Sequence, residues 1–149
     1  MKRFLLFTYC LLFAVSQMIA QLSMPSFFSD HMVLQREKPI RIWGTANSGE
    51  KISVTLGDIK KSIRADKNGK WLVSLPPMQA GGPYTLTVKS PEQSLSFSDI
   101  LIGEVWICSG QSNMEFRLRS ANHAVEEIAA ANYPQIRSFN VIQEMRHTP

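Results

Sequence analysis

Ser112 is the residue whose type and surroundings best fit a chemical role in this chain of 149 residues. It follows Gly110 and Gln111, where a nearly continuous apolar run over residues 100–108 gives way to a polar turn and then to a helix-compatible stretch. A serine in such a turn lies at the carboxyl end of its strand, where open α/β sheets bind ligands and backbone amides stabilise oxyanions. The pattern predicts attack of a hydroxyl on a carbonyl carbon.

Two local motifs compete to explain this serine. The residues before Ser112 are like the nucleophile elbow of α/β-hydrolases, but Met114 stands where that motif needs a second glycine, which disfavours that family. Ser112 followed by Glu115 also fits a capping box, in which a hydroxyl and a carboxylate bind the free amides at a helix start. From the residues alone, a nucleophile and a helix cap explain Ser112 equally well.

The elements that must position this turn begin with a series of short strands between residues 24 and 97. Apolar and polar residues alternate in runs such as residues 52–56, which is the period-two pattern of a strand with one buried face. Turn residues separate the runs, and the pair Asn68-Gly69 predicts a hairpin. About seven such strands without intervening helices predict an antiparallel β-sandwich over residues 21–98.

Three large aromatic residues occupy alternating positions in these predicted strands, namely Trp43, Trp71 and Tyr84. Aromatic side chains at such positions usually face the interior, so we expect all three rings to pack into the core. If they are exposed, the rings would instead offer flat apolar surfaces on which sugar rings stack. The burial of each ring decides between these two roles.

The pattern changes in the last third of the chain. Residues 100–108 predict a strand buried on both faces, as in a parallel sheet, with Cys108 inside it. Residues 121–129 carry apolar side chains at three- and four-residue spacings, which predicts an amphipathic helix. Residues 136–142 predict another strand. Strand, turn, helix and strand open an α/β layer, so we expect a second, incomplete domain over residues 99–149.

The start of the chain has the pattern of a secretory signal peptide over residues 1–20. Lys2 and Arg3 precede an apolar run over residues 4–15, with small residues after it. The run is short for a membrane span, so secretion or a periplasmic location is expected, with an uncleaved anchor as the alternative. Cleavage removes two of the net +4 charges, and the weak remaining charge disfavours nucleic acid. It also removes Cys10, which leaves one cysteine and excludes an internal disulfide or a cysteine metal cluster.

A longer stretch favours the nucleophile by resemblance. Residues 103–114, with the sequence GEVWICSGQSNM, resemble the first conserved block of the sialate O-acetylesterase group within the SGNH hydrolases. Residues 28–35 (FSDHMVLQ) and 42–44 (IWG) resemble the entry strands of the β-sandwich that precedes the hydrolase in that group, and residues 134–137 (PQIR) also fit. The resemblance covers essentially the whole chain after the predicted signal.

The resemblance implies a mixed fold, an antiparallel β-sandwich followed by the truncated start of a flavodoxin-like α/β SGNH-hydrolase domain. It implies a serine esterase that removes O-acetyl groups from sialic acid or related glycans without a metal or cofactor. Ser112 would be the nucleophile, its backbone N–H would join the oxyanion hole, and Gly110, Gln111 and Asn113 would shape the turn. The family's histidine and aspartate lie in later blocks, so the portion present here is expected to be inactive by itself.

The histidines present give no convincing general base. Glu144 and His147 have the spacing of the family's aspartate and histidine, but they come too soon after the second predicted strand. His31 and His123 lack an acidic residue three positions earlier and are expected on a turn and on an exposed helix face. Two other functions stay open: an acetylxylan esterase, because the serine mechanism is indifferent to the sugar, and a non-catalytic carbohydrate-binding or interface module with a remnant hydrolase start.

Overall fold

The computed structural model describes residues 21–141, which form a mainly β structure with few helical turns. The strands are β1 (Val33–Gln35), β2 (Ile40–Thr45), β3 (Lys51–Leu56), β4 (Ile59–Arg64), β5 (Lys70–Leu75), β6 (Gly81–Lys89) and β7 (Ser94–Gly103). Two short 3₁₀ turns, Ser112–Glu115 and Leu118–Ser120, and the helix α1 (Ala124–Ala130) follow. None of the helical segments in this range is long and apolar enough to cross a membrane. The predicted signal peptide lies outside the described residues.

The strands form a five-stranded sheet in the order β1-β7-β6-β3-β4 and a two-stranded sheet of β2 and β5. Neighbouring strands are antiparallel except for β1 and β7, which run parallel with Val33 opposite Leu101. This parallel pair lays two distant stretches of the sequence side by side. The seven strands agree in number and approximate position with those predicted before residue 99, although β7 continues to Gly103.

One hydrophobic core takes side chains from both sheets. Ile52, Val54 and Leu56 are fully buried on one face of β3, while the residues between them are partly exposed. β2 and β5 alternate in the same way. A strand with this alternation removes its apolar side chains from water only against a second layer, so the period-two pattern requires the two sheets to face each other.

The turn at Asn68-Gly69 forms, but the hairpin prediction is wrong, because β4 and β5 on either side of it belong to different sheets. The Asp66 carboxylate closes the turn by accepting the backbone N–H groups of Asn68 at 2.8 Å and Lys70 at 2.9 Å. Gly69 has φ +76°, and a Cβ there would lie 2.4 Å from the carbonyl oxygen of Ala46. The turn therefore packs against a neighbouring segment and carries the chain from one sheet to the other.

β7 extends further into the last third of the chain than the sequence pattern indicated. It runs unbroken to Gly103, so the predicted boundary between residues 98 and 99 falls inside a strand. Beyond β7, Trp106 and Ile107 are 82% and 92% exposed, and Cys108 is exposed. The predictions of a doubly buried strand over residues 100–108 and of a buried Cys108 are therefore wrong for this structure.

Hydrogen-bonding partners explain why the strand stops at Gly103. β6 and β1 occupy the two edges of β7 up to that residue, and in the described part of the chain no strand lies beside residues 104–110 to receive their backbone groups. Residues 136–141 also form no strand, contrary to prediction, whereas the predicted helix is present as α1. A separate hydrolase domain from residue 99 stays a prediction.

The three aromatic residues divide between the two roles expected of them. Trp71 is 3% exposed and Tyr84 packs half-buried against the core, as predicted. Trp43 is 38% exposed, so the prediction of core packing is wrong for this ring. The residues on either side of Trp43 point into the core, which places the indole on the outer face of β2.

Candidate active site

Ser112 begins the 3₁₀ turn Ser112–Glu115, in a segment whose side chains are exposed. The backbone N–H of Met114 donates to the carbonyl of Gln111 at 2.9 Å, and that of Phe116 donates to Asn113 at 3.4 Å. The turn has no side-chain capping hydrogen bond, and Gln111, not Ser112, occupies the cap position. The capping box is thus not formed, and the Ser112 hydroxyl makes no hydrogen bond to any other residue in the range 21–141.

Gly110 and Asn113 shape this turn from either side of the serine. A Cβ at Gly110 would lie 2.8 Å from Cγ of Met114, so a side chain there would push the methionine away. The carbonyl of Asn113 accepts the N–H that ends the turn. Gly110, Gln111 and Asn113 therefore lie in the turn around Ser112, and their part in positioning a nucleophile stays a prediction. The turn follows β7 only after a stretch of exposed backbone and not directly.

Polar side chains at the end of β1 form hydrogen bonds with the residues that directly follow β7. Glu104 accepts hydrogen bonds from Arg36 Nε at 2.7 Å and from Gln35 Nε2 at 3.1 Å. The N–H of Val105 donates to Gln35 Oε1 at 2.9 Å. The hydrogen bonds from Gln35 and Arg36 lower the pKa of Glu104. This cluster fixes the direction in which the chain leaves the sheet toward Ser112.

A second polar cluster joins three distant parts of the chain at Asp99. The Asp99 carboxylate lies 2.6 Å from His31 Nδ1 and accepts a hydrogen bond from Arg137 Nη2 at 2.8 Å. Arg137 also donates to the Asp99 carbonyl at 2.5 Å. The bonds from His31 and Arg137 lower the pKa of Asp99. Because its pKa is lowered, Asp99 stays charged as the pH falls through the usual aspartate range, and the cluster is lost only at still lower pH.

Backbone conformation supports the same cluster. His31 and Asp99 have φ of +63° and +54°, a left-handed conformation that histidine and aspartate adopt more readily than most residues. Asp30 accepts the N–H of Ser98 at 2.6 Å and its hydroxyl at 3.0 Å, and these bonds lower the pKa of Asp30. The turn before β1 is therefore bonded to β7 at two consecutive residues.

Sequence analysis missed the pairing of His31 with Asp99. His31 lies on a turn, as predicted, but the sequence places no acidic residue three positions before it. The parallel pairing of β1 with β7 supplies the carboxylate from the other end of the domain. His123 lies directly before α1 and not on its face, and Glu144 and His147 lie outside the described residues. Neither His31 nor Asp99 bonds to Ser112.

Loss of the Asp99 carboxylate is expected to free the segment that carries Arg137. In Asp99→Ala, trypsin should cleave after Arg137 several-fold faster at neutral pH, because the guanidinium loses its ion pair with the carboxylate and keeps only its hydrogen bond to the backbone carbonyl of residue 99. Mass spectrometry of timed digests measures this, with cleavage after the exposed Arg119 as internal reference. Glu92→Ala, which removes an exposed carboxylate that makes no bond in the described chain, is the control. Equal rates in both variants would refute the role of Asp99.

Comparison with known proteins identifies relatives of this chain. No protein-family model matches it. It is 35% identical to the sialate O-acetylesterase of Rattus norvegicus and 34% identical to that of Homo sapiens, in each case over an alignment of 128 positions that covers 78% of this chain and 24% of the relative. The structure is similar to that of a carbohydrate acetylesterase from Xanthomonas citri, with a TM-score of 0.73 and 37% identity over 77% of this chain and 26% of that protein.

The similarity in sequence and in structure points to the same group of proteins. The matched region contains most of the chain, and the structural likeness is accompanied by identity well above the level at which only a fold is shared. The chain spans about a quarter of the length of the curated relatives it matches. This chain is therefore a homologue of the sialate O-acetylesterases.

Proposed function

We propose that this chain is the serine-bearing part of a carbohydrate O-acetylesterase in which Ser112 is the nucleophile. The observation that carries the proposal is the agreement of the relatives, which are named as sialate O-acetylesterases and a carbohydrate acetylesterase. The exposed turn supports it, because the Ser112 hydroxyl is free of hydrogen bonds within residues 21–141 and open to a substrate. A helix cap would have its hydroxyl engaged with backbone amides.

The proposed reaction is acyl transfer in two steps. Ser112 Oγ attacks the acetyl carbonyl carbon while a histidine takes the hydroxyl proton, and the sugar oxygen leaves with that proton to give an acetyl-serine. Water, deprotonated by the same histidine, then attacks the acetyl carbon, the bond to Ser112 Oγ breaks, Oγ takes the proton back from the histidine, and acetate is released. The backbone N–H of Ser112 is one donor to the oxyanion in both steps. The proposal places the histidine and its aspartate in sequence beyond this chain, because the described residues bring neither to Ser112.

We further propose that the chain contains parts of two domains. In the proposal, the strands up to the end of β7 at Gly103 form a β-sandwich, and the segment after it opens an SGNH-hydrolase layer. Large apolar side chains that the described residues leave exposed, among them Trp106, Ile107, Ile136 and Phe139, support this assignment. Single exposed apolar residues are common on protein surfaces, but a run of them indicates a surface that packs against something else. We also propose that the protein is secreted by means of the signal peptide predicted at residues 1–20.

Acetate release from defined sugars tests the proposal and its alternatives. We expect the complete gene product that contains this sequence to release acetate from O-acetylated sialic acid faster than from acetylated xylan at equal acetyl concentration. Faster release from xylan would favour the acetylxylan esterase. Binding of either glycan without acetate release would favour the non-catalytic module and would contradict the esterase.

A further inference from the structure

A cleft on the outer face of the two-stranded sheet combines an aromatic ring with cationic side chains. Arg41, Trp43 and Thr45 alternate on the solvent side of β2, and the register places Lys70 opposite Thr45 and Leu72 opposite Trp43. With the segment around Ser23 these side chains enclose a cleft of about 860 Å³. Ser112 and the residues next to it do not line this cleft. It is therefore distinct from the proposed nucleophile.

Trp43 supplies a rigid apolar platform in this cleft. Its ring centroid lies 5.1 Å from that of Phe28 in an edge-on contact and 5.3 Å from that of Phe27. Phe28 is buried in the core, so the indole is held in place while 38% of the residue remains exposed. A fixed, half-exposed indole offers the flat apolar surface that the C–H face of a sugar ring covers.

The cationic side chains in the cleft favour one kind of sugar ligand. Arg41 and Lys70 carry cationic side chains that form no ion pair or hydrogen bond with other residues in the described chain. The one carboxylate in the lining, Asp66, already accepts the N–H groups of Asn68 and Lys70 and is committed to the turn. Free guanidinium and ammonium groups next to an aromatic platform favour a ligand that combines a carboxylate with a sugar ring.

The floor of the cleft contains a polar group without a partner. Trp71 is 3% exposed, and its Nε1–H is a buried donor with no hydrogen-bond acceptor in the described structure. Gly44 lies opposite Trp71 in the register, and a Cβ there would lie 2.7 Å from the Trp71 ring. The missing side chain of Gly44 therefore leaves room for the indole, which forms part of the base of the cleft.

We infer that this cleft is a second glycan site, separate from Ser112, that binds sugars bearing a carboxylate, such as sialic acid. Trp43 stacks on the sugar ring, and Arg41 and Lys70 bind the carboxylate. The site binds and does not react, since its lining holds no nucleophile paired with a base. A site of this kind holds an acidic glycan on the protein while acetyl groups are removed elsewhere.

Titration with the methyl glycoside of N-acetylneuraminic acid tests the inference, with the backbone amide signals of the cleft residues followed by NMR. We expect saturable shifts, and we expect the methyl ester of the same sugar, which lacks the charge, to bind about tenfold more weakly or worse. Arg41→Gln and Trp43→Ala should each weaken binding by a similar factor. Lys60→Gln, an exposed cation on the other sheet, should not.

Two results separate this inference from the proposed function. Ser112→Ala should bind the sugar as tightly as the unaltered protein, because the cleft does not include the serine; loss of binding in that variant would overturn a separate site. Equal binding of the acid and its ester, or the absence of saturable shifts, would also overturn it. Arg41 is exposed at a strand surface, so Arg41→Gln tests the carboxylate contact without a threat to folding.

Discussion

Ser112→Ala in the complete gene product is expected to lower acetate release from an O-acetylated sugar by roughly 10⁴-fold or more. Alanine removes the hydroxyl oxygen that is proposed to form the acyl-enzyme bond and leaves the backbone amide in place. Ser112 is exposed and its hydroxyl bonds to no residue within the range 21–141. The unfolding midpoint should therefore stay the same, so that a loss of activity reports chemistry and not folding.

The matched control is Ser120→Ala, since Ser120 also lies in an exposed 3₁₀ turn a short distance along the chain. It should release acetate at the rate of the unaltered protein. The comparison uses initial rates of acetate release at saturating substrate, with circular dichroism spectra of all three proteins. Undiminished deacetylation by Ser112→Ala would remove Ser112 from the mechanism and leave the other predictions about the fold intact.

Ile52→Ala is expected to lower the free energy of unfolding by about 2–5 kcal/mol. Ile52 is fully buried in β3, so alanine removes apolar contacts and leaves a cavity in the shared core. Urea denaturation followed by tryptophan fluorescence measures the change. Trp71, buried in the same core, makes the fluorescence sensitive to unfolding of this region.

Ile63→Ala provides a control of the same chemistry at the neighbouring position. Ile63 is the register partner of Ile52, but it lies on the edge strand β4 and is 39% exposed. Its replacement should cost less than about 1 kcal/mol. Equal losses from the two substitutions would contradict the placement of the core between the two sheets, because burial is the only large difference between these residues.

Periodicity along the chain predicted the strands well, because the burial of alternate side chains is decided within each strand. Residues 52–56 alternate in sequence, and Ile52, Val54 and Leu56 are the residues whose side chains are buried. Periodicity carries no information about the sheet a strand joins. Asn68-Gly69 has the local conformation of a hairpin turn, yet it connects different sheets, because β4 pairs with β3 and β5 pairs with β2.

The polar clusters depended entirely on long-range pairing. His31 meets Asp99, and Gln35 meets Glu104, only because β1 runs parallel to β7. No spacing of residue types along the sequence predicts such a contact. The exposure of Trp43 is a similar case, since its position in a strand was correct, but the face it occupies follows from the placement of β2 over the core.

The sequence by itself determined which residues before the end of β7 form strands, where the chain turns between them, and that Ser112 stands in an exposed turn. These properties depend on side-chain types within a few residues of one another. The tertiary structure alone decided which strands pair, that Asp99 joins His31 to Arg137, and that Trp43 faces a charged cleft. Those contacts join residues far apart in the chain, and they form because burying one common core fixes both sheets at once.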